Sequence, residues 1–145
     1  MVGDLRRVLI ADADPPLRQQ LYSALLEADI FSDCVSTTFD AIEKLAQERY
    51  ALVLVDVDLP PGDVEEVIAR IHQMPVAERP VVLVLAAKPE VARTLDVDIV
   101  QIVLRRPVLL RQLVEIIRSC LRSAAGAGAE TVGDPLLSTN DQLIS

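Results

Sequence analysis

An α/β fold built on a doubly wound parallel sheet is predicted for this chain of 145 residues, and three observations predict it. Short runs rich in β-branched residues recur at Arg7 to Ala11, Ile30 to Val35, Ala51 to Asp56, Val81 to Ala86 and Ile99 to Leu104. Stretches of helical periodicity separate each run from the next, which predicts five strands and five helices in alternation. The first, third and fourth runs are almost continuously apolar, as central parallel strands covered on both faces must be, while Ile30-Phe31-Ser32-Asp33-Cys34-Val35 is mixed and suits an edge.

Each helix has its own signals. The first carries Leu17, Leu21, Ala24, Leu25 and Ala28 on one face, with Asp14 as N-cap and Pro15 at the first helical position. The second shows Phe39, Ile42, Leu45 and Ala46, capped by Ser36 or Thr37. The third follows Asp63 and presents Val64, Val67, Ile68 and Ile71. Pro89 to Leu95 makes a short fourth helix, and Val108 to Leu121 a long fifth one through Leu109, Leu110, Leu113, Val114, Ile116, Ile117 and Leu121. From Ser123 the composition turns to Ala124-Ala125-Gly126-Ala127-Gly128-Ala129 and then polar residues, so residues 123–145 read as a flexible tail or linker behind a domain of residues 1–122.

Composition narrows the function. Hydrophobic residues make up 51% and charged ones 25%, an ordinary globular balance, and the 3% aromatic content leaves an aliphatic core. No apolar segment reaches the roughly 18 residues that span a bilayer, and Met1-Val2-Gly3-Asp4-Leu5-Arg6-Arg7 lacks the apolar stretch of a signal peptide, so a cytoplasmic location off the membrane is expected. A formal net charge of -8 opposes approach to nucleic acid. Cys34 and Cys120 lack metal-ligand spacing and read as buried reduced thiols, and the lone His72 near a helix end reads as a surface residue.

Two carboxylates end apolar runs: Asp12 after Val8-Leu9-Ile10-Ala11, and Asp56 after Ala51-Leu52-Val53-Leu54-Val55. The carboxyl edge of an open α/β sheet is where ligands and reacting groups collect, so the two acids should meet there. In order, Val8-Leu9-Ile10-Ala11-Asp12-Ala13-Asp14-Pro15, Leu54-Val55-Asp56-Val57-Asp58-Leu59-Pro60 and Arg106-Pro107 resemble the landmarks of the receiver domain of two-component response regulators, over about Arg6 to Arg122. The resemblance implies a flavodoxin-like sheet of order 2-1-3-4-5. It also implies Asp56 as the position that accepts a phosphoryl group from a kinase phosphohistidine, with Pro60 four residues on. Magnesium, which neutralises charge in such a transfer, would be held by Asp12, Asp56 and the Asp58 backbone carbonyl. Pro107 is the implied cis-proline position.

Several positions depart from that pattern. Ala13 stands where receivers carry a second acid after strand one, so magnesium binding should be weak or absent; Asp14 is better placed to cap than to ligate. Leu85 and Ala86 bracket the place of a phosphate-binding Ser or Thr, and neither has a hydroxyl. The switch aromatic falls at Val103, and the Lys of Lys-Pro becomes Arg106, which keeps the charge but exchanges an ammonium for a planar fork.

The leading expectation is therefore a receiver-type signalling module with an incomplete pocket, working through protein contacts of its fifth helix and neighbours. Its implied partners are a histidine kinase or phosphotransfer protein and a downstream effector domain or protein, with a homodimer as a further option. The alternative is a phosphorylation-independent interaction or dimerisation domain. A plainer account makes Asp12 and Asp56 loop-capping acids with Arg106 as their counterion. A hydrolase reading is weakest, since the sequence has no Gly-rich phosphate loop, GxSxG elbow or HExxH run and no histidine placed as a base.

Overall fold

The computed structural model describes residues 7–62 and 64–125. Five parallel strands, β1 (Val8–Ala11), β2 (Ser32–Val35), β3 (Leu52–Asp56), β4 (Val81–Ala86) and β5 (Val100–Arg105), form one sheet in the order β2-β1-β3-β4-β5. Between them run α1 (Pro15–Glu27), α2 (Thr38–Gln47), α3 (Val64–His72) and a 3-10 helix, Pro89–Thr94, in the place of the predicted fourth helix; α4 (Leu110–Ala125) closes the fold. A short 3-10 turn, Val76–Glu78, leads into β4. The flavodoxin-like order puts β1 and β3 side by side, in the register Val8↔Leu52 through Ala11↔Val55, so the residues that follow, Asp12 and Asp56, start level.

Side chains alternate across a strand, and the alternation sorts the core into two layers. Leu9, Ala11, Val53, Val55, Val82 and Val84 face Ala41 and Leu45 of α2 and Val64, Val67, Ile68 and Ile71 of α3. Val8, Ile10, Leu52, Leu54, Leu83 and Leu85 face Leu21 and Leu25 of α1 and Leu113, Ile116, Ile117 and Leu121 of α4. Helices on both faces explain why the central strands are apolar without interruption.

The helices refine the sequence reading. Asp14 occupies the N-cap position of α1 but its side chain makes no capping bond, because the segment is tied instead through the Asp14 amide, which donates to the Asp12 carboxylate at 2.9 Å. Thr37 caps α2, its hydroxyl accepting from the Asp40 amide at 3.1 Å. The buried stripe of α2 is Thr38, Ala41 and Leu45, and Phe39 is 67% exposed, since a neighbour one residue along lies about 100° around the helix. The fifth predicted helix, α4, starts two residues later than the pattern from Val108 and leaves Leu109 exposed. It continues past Arg122 to Ala125, so the predicted linker at Ser123 begins as helix; residues 126–145, and Asp63 as a cap of α3, lie outside the described residues. Cys34 is exposed rather than buried, because it sits on edge strand β2, and Cys120 is half-buried in α4.

At the amino end of the sheet, Tyr50 donates its hydroxyl to Asp33 at 2.7 Å, and Arg7 approaches the same carboxylate oxygen at 3.1 Å. Burial, reinforced by Asp33, pushes the Tyr50 phenol well above its usual range. This latch ties the chain before β3 to edge strand β2. Tyr50→Phe should lower stability by about 1 kcal/mol, read from the urea midpoint at unchanged denaturant slope, because one hydrogen bond to a charged acceptor is lost while the ring stays packed. No change at all would mean that water replaces the hydroxyl.

Candidate functional site

Three side chains meet at the carboxyl edge of the sheet. Asp12 follows β1, Asp56 ends β3 and Arg106 follows β5; Asp12 is 1% exposed and Asp56 9%. Each continues an alternating series on the side of the sheet facing α1 and α4: Val8 and Ile10 before Asp12, Leu52 and Leu54 before Asp56, Leu104 before Arg106. A strand period of two therefore aims all three the same way.

The guanidinium nitrogen Nη2 of Arg106 makes a very short contact with Asp12 Oδ2 and lies 3.2 Å from Asp56 Oδ2. The other oxygen of each acid is also engaged: Asp12 Oδ1 accepts from the Asp14 amide and Asp56 Oδ1 from the Asp58 amide, both at 2.9 Å. The Arg106 amide donates to the Ala86 carbonyl at 2.9 Å, which anchors the root of that long side chain to β4. Burial is the main cause that lifts the Asp56 carboxyl above its ordinary range; the Asp58 amide and Arg106 pull it down less strongly, and Asp12 adds to the rise.

The remaining predicted positions are placed as follows. Asp58 and Asp14 are exposed, and the Asp58 amide serves the pocket by holding Asp56. Ala13 is exposed and brings no donor side chain. Leu85 pairs in register with Asp56 and, like Ala86, is fully buried, so the end of β4 offers aliphatic groups where a hydroxyl was sought. Val103 is half-buried and packs against the core layer that contains Leu9, Val53 and Val84. The Arg106–Pro107 peptide bond is cis, as is Pro60–Pro61, and Gly62, at φ 113°, closes the loop after β3 in a backbone region open to glycine. Thr38 at the start of α2 donates its amide to the Pro60 carbonyl at 2.8 Å, fastening that loop beside the pocket. His72 is exposed at the end of α3, 2.5 Å from Asp96, away from the acids. Sequence reasoning missed Arg18, whose guanidinium donates to the Asp12 backbone carbonyl at 2.6 Å. Its one signal was a basic residue on the first turn of α1, directly above the strand end.

A parallel doubly wound sheet with two acids at its carboxyl edge is an α/β domain of the kind that places ligands and reacting groups at that edge. The chain belongs to the response regulator receiver domain family, whose model matches residues 8–118. Receiver domains are signalling modules. A curated relative, the transcriptional regulatory protein TctD of Salmonella typhimurium, is 32% identical over 123 residues, covering 83% of this chain and 54% of that protein. The chain thus spans about half the length of that relative. Among solved structures, the chemotaxis response regulator CheY4 of Vibrio cholerae superposes with a TM-score of 0.72 at 18% identity, covering 80% of this chain and 98% of the other. The receiver domain of sensor histidine kinase PA1611 from Pseudomonas aeruginosa, solved with magnesium coordinated in its active-site cleft, gives 0.70 at 18% identity over 82% of this chain and 99% of its own. These two share the fold.

The donor set here does not fit magnesium well. Near-octahedral coordination needs several oxygens turned to one point. The two Oδ2 atoms that converge do so on a guanidinium nitrogen, and the neighbouring position is Ala13. Among the described residues no cluster of three His, Cys, Asp or Glu side chains could hold a metal ion.

Proposed function

We propose that this receiver passes a signal by protein contacts, with Asp56 as the phosphoacceptor position of a pocket that has lost its third acid and its hydroxyl. The observation that carries the reading is the convergence of Asp12 and Asp56 on one side of the sheet edge, bridged by Arg106. In the transfer, an Asp56 carboxylate oxygen bonds to phosphorus as the phosphorus–nitrogen bond of a donor phosphohistidine breaks, and the imidazole keeps the electron pair and takes up a proton. Arg106 supplies positive charge at the acceptor oxygen, which favours approach of an anionic group. Magnesium has at most a weak place in this pocket.

The donor is a histidine kinase or a phosphotransfer protein, and the output is contact with an effector, either in a longer regulator of the TctD kind or as a separate protein. Val91, Val97 and Leu109, exposed around the 3-10 helix, β5 and the start of α4, supply apolar contact area for that effector or for a second copy. The chain's formal net charge of -8 argues against direct contact with nucleic acid.

Incubation with a small phosphodonor and magnesium should give a mass adduct that is lost in Asp56→Asn. A second reading, constitutive interaction without phosphorylation, is favoured by one observation: three of the four carboxylate oxygens of the two acids already accept hydrogen bonds, and the fourth, Asp56 Oδ2, is ion-paired with Arg106. Failure of both acetyl phosphate and beryllium fluoride to produce any Asp56-dependent change would select it over the first.

A further inference from the structure

We propose that the Arg106 guanidinium is the resident cation of this pocket, taking the role of a divalent ion and holding Asp12 and Asp56 in one arrangement whether or not magnesium is present. The inference rests on reading the pocket as the acceptor pocket, and deepens that reading by assigning its counter-charge to the chain itself.

Three independent features support it. A single nitrogen, Nη2, contacts the Oδ2 atoms of both acids, the bridging position that a cation shared by two carboxylates would take. Each Oδ1 is turned away, onto the backbone amide two residues further along its own loop, so neither carboxylate can rotate toward a new ligand without giving up a hydrogen bond. The bridging side chain is also rooted: its amide is bonded to Ala86, and its side chain is 27% exposed, which leaves it screened from water along most of its length.

Charge balance points the same way. Asp12, Asp56 and the Arg106 guanidinium together carry a single negative charge, Asp58 adds another from the exposed rim, and Ala13 adds none. A dication entering beside the guanidinium would meet like-charge repulsion in a poorly hydrated site, so it must first displace Arg106. A planar fork carries this role better than an ammonium, because its charge is delocalised and weakly hydrated and its geometry matches carboxylates.

The test is a magnesium chloride titration of the full chain without any phosphodonor, at constant ionic strength, following the amide NMR signals of residues 12–14 and 56–58. The wild-type protein should show no saturable shift over the range in which Arg106→Gln saturates, corresponding to an affinity at least roughly tenfold weaker. Ala13→Asp should help little while Arg106 remains and much more when it is combined with Arg106→Gln, since both changes act on one site. Saturable wild-type shifts centred on Asp12 and Asp56, at an affinity within about threefold of the Arg106→Gln variant, overturn the proposal. The glutamine variant retains hydrogen-bonding groups and size, and the wild-type titration alone can sink the idea if a variant does not fold. Ion binding and phosphoryl uptake are separate readouts: a protein that takes up phosphoryl groups yet ignores magnesium keeps both proposals, one that binds magnesium and takes up phosphoryl groups loses only this one, and one that does neither loses only the acceptor role.

Discussion

Arg106→Ala is expected to lower unfolding free energy by about 3 kcal/mol in magnesium-free buffer, the low end of what removing one partner of a buried ion pair costs. The low end applies because the guanidinium keeps some contact with water, while the acids it bridges have almost none. Without it, Asp12 and Asp56 become two like charges side by side in a desolvated edge, each retaining only its amide donor. Urea unfolding followed by circular dichroism measures the change, and added magnesium should restore part of the loss in the variant while leaving the wild type unmoved. A loss below roughly 1 kcal/mol would place the bridge with ordinary surface pairs and remove the main reason for treating Arg106 as structural to the pocket.

Asp56→Asn is expected to act in the opposite direction, raising stability at neutral pH. Burial is the chief reason that the Asp56 carboxyl sits above its ordinary range, so at neutral pH the folded state carries a charge the site disfavours. Asparagine keeps an oxygen for the Asp58 amide and leaves Asp12 and Arg106 as a balanced pair. The pH dependence follows from linkage. Folded Asp56 binds its proton more tightly than the unfolded chain does, so its unfavourable contribution is full above the raised folded value and is relieved as pH falls toward about 3.9, the unfolded value. The advantage of the variant should therefore be greatest at neutral pH and shrink toward pH ~4. A variant less stable than the wild type at pH ~7 would show that the Arg106 contact outweighs desolvation at this carboxylate.

Both substitutions touch residues that were legible as landmarks. Asp12 and Asp56 stood out because each ends an uninterrupted apolar run, and such runs are what a strand covered on both faces requires. The third helix was equally readable: Val64, Val67, Ile68 and Ile71 all face the core. The second was less so. Its apolar residues did not mark its buried side, and Phe39 faces solvent while Thr38 is enclosed, because the loop carrying Pro60 lies against the start of α2 and covers that turn. Cys34 went astray for a related reason, since an edge strand has only one neighbour to cover it.

The order of residue types along the chain by itself determined the alternation of strands and helices, the central position of the apolar strands and the placement of two acids at strand ends. It also carried the residue identities at Ala13, Leu85, Ala86, Val103 and Arg106, from which the expectation of an incomplete pocket was drawn. Only the tertiary structure decided which charged side chains meet at the sheet edge. Arg106 lies 94 positions from Asp12 along the chain, and whether its fork reaches one acid, both or neither depends on strand order, register and the path of the loop after β5. Those are properties of the packed sheet, in which distant residues become neighbours through the burial of two apolar layers, and no local pattern specifies which oxygen a long charged side chain will meet.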